Sequence, residues 1–171
     1  MLKLLNIEFE KIIRLLAKHF PISNGGTRKP VLSHALRDGV YLYERSYSRE
    51  VILAGLLHDT LEFSKIKRST LVKEFGSKVA ELVQASTKDD SITDKQEKTT
   101  ELIKRCAKTG QDALIVKAAD IIDNFKYYSK ESNGEQLQYC LRNANAILKY
   151  KPTAFKDKIF IELKDWQNKF A

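Results

Sequence analysis

The stretch that decides the fold is residues 49–63, REVILAGLLHDTLEF, where apolar residues fill most positions around one histidine–aspartate pair. A run this apolar, with no alternation of polar and apolar residues, predicts a buried helix and not a half-exposed strand. Ser48 stands directly before it and is a typical N-cap residue. We therefore expect one continuous helix from about Ser48 through Phe63.

Helical periodicity continues on both sides of this stretch, because apolar residues recur at three-and-four spacing almost throughout the chain. The first helix is expected over residues 2–19. A segment rich in proline and glycine, residues 21–30, then breaks the pattern. A second helix is expected from about Ser33, with three of its apolar side chains turned inward: Leu36, Val40 and Tyr43.

The second half of the chain shows the same helical pattern. Thr93 and Gln96 fit a capping box for a helix that Gly110 ends. The next helix, within residues 111–130, reads QDALIVKAADIIDNFKYYSK and is apolar on more than one face, so we expect it to be central. The pattern predicts an all-α fold, a single helical bundle over residues 1–171.

Composition limits the classes of function. The chain has 171 residues, 43% hydrophobic and 30% charged, as in ordinary globular proteins, and its net charge of +8 favours anionic partners. No stretch approaches the ~18 apolar residues needed to span a bilayer. Aromatic and basic residues do not alternate, which argues against stacking on nucleic acid. The absence of a secretory leader, with only two cysteines, predicts a cytoplasmic protein.

The candidate chemistry begins with the buried pair His58 and Asp59. Burying an imidazole beside a carboxylate costs several kcal/mol unless something compensates it, and a metal ion compensates both groups. Asp120 lies in the second very apolar segment, and His34 opens the helix after the break. These four side chains would leave coordination positions open for water and phosphate. At this point a core histidine satisfied by hydrogen bonds remains an alternative.

Three motifs in order turn this candidate into a family resemblance. They are residues 30–34 (PVLSH), 56–62 (LLHDTLE) and 116–124 (VKAADIIDN). Over about residues 25–130 the chain resembles the HD-domain hydrolases of the RelA/SpoT type. In particular it looks like their small stand-alone alarmone hydrolases, which remove the 3′-pyrophosphate from ppGpp. The resemblance implies a helical HD fold and one divalent ion, typically manganese, with four ligands: His34, His58, Asp59 and Asp120.

The resemblance also implies roles for other residues. Glu62 matches the first member of an acidic pair thought to position or activate the attacking water; an alternative role is to orient His58. Asn124 matches a substrate-contacting asparagine of the family, Thr87 falls in a segment that faces the nucleotide, and Lys126 stands near a position where the family often has arginine. The family's basic residues before the first motif do not align here. Arg28 and Lys29 are close in sequence to His34 and are expected to replace them as phosphate contacts, with an exposed basic loop as the alternative.

One departure from the family pattern bears directly on activity. The second acidic residue of the pair is Phe63 here, and a phenyl ring neither orients water nor transfers a proton. Three hypotheses follow: a ppGpp 3′-pyrophosphohydrolase, an HD phosphohydrolase for another nucleotide, or a non-catalytic protein that binds metal and nucleotide. Oligomeric state is left open by the sequence.

Overall fold

The computed structural model describes residues 2–23 and 28–171, and every regular element in these ranges is a helix, which confirms the all-α prediction. The glycine pair of the predicted break lies outside the described residues. The chain divides into two compact units, an N-terminal unit that ends at Thr87 and a C-terminal unit from Lys88 to Ala171. The prediction of a single domain over residues 1–171 stays a prediction. The helices are α1 (Leu2–His19), α2 (Val31–Glu44), α3 (Arg49–Leu57), α4 (Thr60–Phe63), α5 (Arg68–Phe75), α6 (Ser77–Ser86), α7 (Lys95–Thr109), α8 (Gln111–Lys130), α9 (Gly134–Tyr150) and α10 (Lys158–Phe170).

Helix α3 is the centre of the N-terminal unit. Every residue from Val51 to Leu57 is buried, because α1, α2 and α6 all pack against it. The hydroxyl of Ser48 accepts a hydrogen bond from the Val51 amide at 3.4 Å, so the predicted N-cap is confirmed. Burial on all sides explains why this stretch is apolar at nearly every position.

Two glycines let α2 and α3 approach each other closely. A Cβ atom added to Gly39 would lie 2.3 Å from Cδ2 of Leu56, and one added to Gly55 would lie 2.3 Å from Cδ1 of Leu42. Ordinary carbon–carbon contacts are about 3.5–4.0 Å, so neither site accommodates a larger residue without movement. This close packing brings the first turns of α2 against the end of α3.

The expected helix from Ser48 through Phe63 is interrupted, and that prediction was wrong. Helix α3 ends at Leu57, and a turn at His58 and Asp59 leads into the short helix α4. Asp59 has φ −88° and ψ −2°, in the sparsely populated region where many active-site residues lie. On a regular helix the side chains of His58 and Asp59 would point ~100° apart, and the turn removes this constraint.

The inward face of α2 also differs from the prediction. The helix begins at Val31, two residues before the expected start near Ser33, and Val40 is 42% exposed. Leu36 and Tyr43 are only partly buried. The buried face instead carries two polar residues, two small residues that allow close packing, and one leucine: His34, Asp38, Ala35, Gly39 and Leu42.

Helix α8 is the centre of the C-terminal unit, as predicted, since residues 113–125 are all buried. Gly110 ends α7 with φ 133°, as predicted for a conformation that glycine adopts readily. The capping prediction for α7 was wrong by one residue. Asp94, not Thr93, caps the helix by accepting a hydrogen bond from the Glu97 amide at 2.7 Å. Aspartate is among the strongest N-cap residues, which accounts for this choice.

Within the described residues, no helix combines the length and apolar character that crossing a bilayer requires.

Candidate metal centre

Helix α2 contributes a histidine and a carboxylate one turn apart. His34 and Asp38 are four residues apart, so their side chains lie on the same helix face. Their exposures are 0% and 1%, and Asp38 Oδ2 lies 3.3 Å from His34 Nε2. Two ionisable groups are therefore buried together where an apolar pair would otherwise pack.

His58 meets this pair from the end of α3. Its Nε2 atom lies 3.1 Å from His34 Nε2 and 3.7 Å from Asp38 Oδ2. Its Nδ1 atom lies 2.7 Å from the Gly55 carbonyl oxygen, which can only accept a hydrogen bond, so Nδ1 carries the hydrogen. In the neutral ring, Nε2 then carries the lone pair that can bind a metal ion. A backbone carbonyl on the remote nitrogen is the usual arrangement of a metal-binding histidine.

Asp59 approaches the same point. Its Oδ1 atom lies 3.4 Å from His58 Nε2, and its Oδ2 atom lies 3.9 Å from His34 Nε2. The turn between α3 and α4 makes this possible, since His58 and Asp59 are adjacent in sequence. The structure thus brings together three of the four predicted ligands, all within the N-terminal unit.

The spacing of these donor atoms fits a small divalent ion. His34, Asp38 and His58 each offer one ligand atom, and these atoms lie within 4.8 Å of one another. Ligands held about 2.1 Å from one ion are separated by about 3.0 Å at right angles and about 3.4 Å in a tetrahedron. The observed nitrogen–nitrogen and nitrogen–oxygen separations of 3.1–3.9 Å lie close to this range. Imidazole nitrogen with carboxylate oxygen suits zinc, iron or manganese.

Lys29, one of the predicted phosphate contacts, reaches this cluster instead. Its Nζ atom lies 2.5 Å from His34 Nε2. An ammonium group only donates hydrogen bonds, so His34 Nε2 accepts here and has its lone pair directed toward Lys29 Nζ. A metal ion and the Lys29 ammonium would therefore compete for the same lone pair.

The C-terminal unit holds the fourth predicted ligand, Asp120, on α8. Lys117 Nζ lies 2.7 Å from Asp120 Oδ2, and Asn124 Nδ2 donates to Asp120 Oδ1 at 2.6 Å. All three side chains are at least nine-tenths buried. An ionised carboxylate has about four lone-pair positions, so these two bonds leave capacity for a metal ion. The ammonium of Lys117 stabilises the ionised form of Asp120 inside an apolar helix.

The other predicted site residues lie as follows. Glu62 is partly buried on α4, and Arg28 is exposed directly before α2. The Thr87 hydroxyl donates to the Val83 carbonyl at 2.8 Å, at the end of α6. Lys126 Nζ forms an ion pair of 3.1 Å with Glu162 of α10. The substrate contacts expected of these residues, and of Asn124, stay predictions.

Sequence reasoning missed two of the buried polar residues. Asp38 follows His34 by four positions, and this spacing alone places both residues on one face of a helix. Lys117 stands in the apolar run before Asp120 at a spacing of three. In both cases a charged residue on the buried face of a predicted helix was the available signal.

Comparison with known proteins agrees with the geometry. A family model described as an HD domain matches residues 13–147. A guanosine-3′,5′-bis(diphosphate) 3′-pyrophosphohydrolase of Aquifex aeolicus is 30% identical over 148 residues, which cover 84% of this chain and 21% of the relative. An enzyme of the same name from Drosophila melanogaster is 37% identical over 76 residues, covering 44% of this chain and 42% of the relative. The chain thus spans a minor part of these relatives.

Two solved structures share the fold. The structure of a metazoan ortholog of SpoT that hydrolyses ppGpp aligns with a TM-score of 0.74 at 20% identity. The alignment covers 94% of this chain and 94% of the other. A Listeria monocytogenes protein has a TM-score of 0.66 at 22% identity, covering 84% of this chain and 99% of the other. Because the family model covers most of the chain and includes the histidine–aspartate cluster, this protein belongs to the HD-domain family.

Proposed function

We propose that this protein is a metal-dependent phosphohydrolase that removes the 3′-pyrophosphate from ppGpp. The observation that carries the proposal is the meeting of His34 Nε2 and His58 Nε2 at 3.1 Å, beside the carboxylates of Asp38 and Asp59, in an HD domain. Relatives from Aquifex aeolicus and Drosophila melanogaster are named for this reaction. The net charge of +8 suits a highly anionic nucleotide.

The proposed ion is a single Mn²⁺, with His34, His58, Asp59 and Asp120 as ligands. The support for Asp120 is its place in the third motif and its bonds with Lys117 and Asn124, which fix its carboxylate on α8. When bound, a divalent ion would supply Lewis acidity toward a phosphate oxygen. The protein would contribute fixed donor atoms in a site with little water, where electrostatic interactions are stronger than in solution.

Glu62 is proposed as the group that accepts a proton from the attacking water. In the alternative role, Glu62 orients His58, and its carboxylate must then accept a hydrogen bond from a ring nitrogen of His58. The Nδ1 hydrogen of His58 already goes to the Gly55 carbonyl, and Nε2 faces His34. This hydrogen-bond pattern supports the catalytic role.

The substrate phosphates are proposed to bind basic residues that the sequence brings near the motifs, Arg28, Lys29 and Lys126, while Thr87 and Asn124 contact the nucleotide. Lys29 has a particular part in this proposal. If a divalent ion bound His34 Nε2, it would take the lone pair that Lys29 contacts, and the Lys29 ammonium would then be available to bind a substrate phosphate. A cytoplasmic location is proposed with this function.

Phe63 keeps a second function open. Its apolar ring stands where the family pattern has the second acidic residue, so a different nucleotide or a binding role without turnover remains an alternative. The Phe63→Asp variant separates these cases. A large gain in ppGpp hydrolysis would indicate a weakened alarmone hydrolase, and no gain on any nucleotide would favour another role.

The test of the proposal is a substrate comparison with the full chain. Protein loaded with Mn²⁺ is incubated with ppGpp and, separately, with a 5′-mononucleotide, and released pyrophosphate and phosphate are measured. We expect pyrophosphate from ppGpp, with a loss of about 100-fold or more in Glu62→Gln, the range typical of a general base. Glu131→Gln, at an exposed residue after α8, is the matched control. Hydrolysis of the mononucleotide without action on ppGpp would remove the alarmone assignment.

A further inference from the structure

The carboxylate of Asp38 occupies a position that the proposed ligand set leaves unexplained. It is 1% exposed on the buried face of α2, and the four ligands implied by the motifs do not include it. A buried carboxylate costs several kcal/mol unless it is compensated by a cation or hydrogen bonds. The question is what role this charge has beside two histidines.

The direction of approach distinguishes a ligand from a supporting residue. A carboxylate that supports a metal-binding histidine binds the ring nitrogen that faces away from the ion. In His58 that remote nitrogen, Nδ1, is bonded to the Gly55 carbonyl. Asp38 Oδ2 instead approaches Nε2 of both rings, at 3.3 Å from His34 and 3.7 Å from His58. Its oxygen thus lies on the Nε2 side of both rings.

We propose that Asp38 is itself a ligand of the divalent ion. This inference rests on the proposed function, because it assumes that the cluster binds a metal. Asp38, His34 and His58 each present one donor atom within 4.8 Å of the others, at separations that suit ligands of one ion. With Asp59, the N-terminal unit then supplies two nitrogen and two oxygen donors, all from buried residues.

The added carboxylate changes which metal the site prefers. Carboxylate oxygens suit Mn²⁺ and Mg²⁺, whereas imidazole nitrogens suit Zn²⁺. Asp38 also adds a negative charge to the site, which strengthens binding of any divalent cation in a buried environment. Removal of Asp38 should therefore weaken Mn²⁺ binding more than Zn²⁺ binding.

The first test is calorimetric titration of Mn²⁺ and Zn²⁺ into metal-free wild type, Asp38→Asn and Glu44→Gln. Glu44 is exposed at the end of the same helix and serves as the matched control. We expect Asp38→Asn to lose more than about tenfold in Mn²⁺ affinity, because even outer partners of metal ligands are worth 10–100-fold. The loss for Zn²⁺ should be smaller, and Glu44→Gln should match wild type.

The second test detects a ligand at position 38 by a new absorption and not by a loss of metal affinity. In Asp38→Cys, a thiolate at the ligand position would give Co²⁺ a sulfur-to-metal charge-transfer absorption, and Glu44→Cys would not. The native Cys106 and Cys140 are buried in the C-terminal unit, and wild type supplies their background. Wild-type Mn²⁺ affinity in Asp38→Asn, or no new absorption in a folded Asp38→Cys that binds Co²⁺, would overturn the inference while the proposed function stands. A wild type that binds no divalent ion would overturn both.

Discussion

The packing of α2 on α3 predicts a measurable link between one glycine and metal binding. In Gly39→Ala, the new Cβ atom would lie 2.3 Å from Leu56 Cδ2 and 2.4 Å from Cγ. Ordinary contacts are about 3.5–4.0 Å, so the helices must separate by about 1 Å or Leu56 must leave its rotamer. Overpacking of this kind costs about 1–3 kcal/mol. For a chain of this size the melting temperature should fall by roughly 2–12 °C.

The same displacement should weaken the metal centre, since His34 and Asp38 are on α2 and His58 follows α3. We expect Mn²⁺ affinity, measured by calorimetry, to fall together with the melting temperature. Gly134→Ala is the matched control, because an added Cβ there meets no atom within 4 Å at the start of α9. Addition of Leu56→Ala to Gly39→Ala should recover part of the affinity by removing the clash. If Gly39→Ala matches Gly134→Ala in both measurements, the close packing of α2 on α3 does not position the site.

Two further predictions concern charge. Lys117→Met should lower the melting temperature strongly, by a loss of about 3–5 kcal/mol, because it removes the ammonium that compensates the buried Asp120; a change below about 1 kcal/mol would contradict this role. The Arg49 guanidinium donates a hydrogen bond of 2.7 Å to Glu8 and holds the pKa of that carboxyl below its usual range. The pair therefore stabilises the fold at pH values above the ordinary carboxyl pKa. This stabilisation is lost as the pH falls through the lowered pKa of Glu8. Glu8→Gln should therefore lower the free energy of unfolding by up to about 1 kcal/mol at neutral pH. It should lower it by nothing at a pH where the Glu8 carboxyl is protonated in both the folded and the unfolded state. An equal loss at the two pH values would contradict the pKa argument.

The helical architecture could be predicted because apolar periodicity reports which residues must be buried. Residues 111–130 were placed centrally on that basis, and their burial in α8 bears this out. Helix ends marked by local chemistry were equally accessible. Ser48 caps α3, and Gly110 ends α7.

The turn at His58 and Asp59 could not be predicted in this way. Neither glycine nor proline marks it, and the segment is as helical in its pattern as the residues before it. The turn depends on packing within the folded unit, which a local pattern does not contain. It is nevertheless what brings two adjacent side chains toward one point.

The face of α2 was mispredicted for a related reason. Hydrophobicity favoured Val40 as a buried residue, but the buried face carries His34 and Asp38 among small residues. A scale that scores polar side chains as exposed is wrong where those side chains form a site. Motif order predicts His34, His58 and Asp59 as ligands, whereas Asp38 lies outside that order and is indicated only by its distances to the two rings.

The metal content of the purified protein shows whether the cluster of His34, Asp38, His58 and Asp59 binds a divalent ion. Wild type and Asp120→Ala are dialysed against Mn²⁺, freed of excess ion, and analysed by emission spectroscopy. We expect about one ion per wild-type chain and a clear deficit in the variant, whose missing carboxylate is a proposed ligand. A wild type that remains metal-free after this treatment would contradict the proposed metal site.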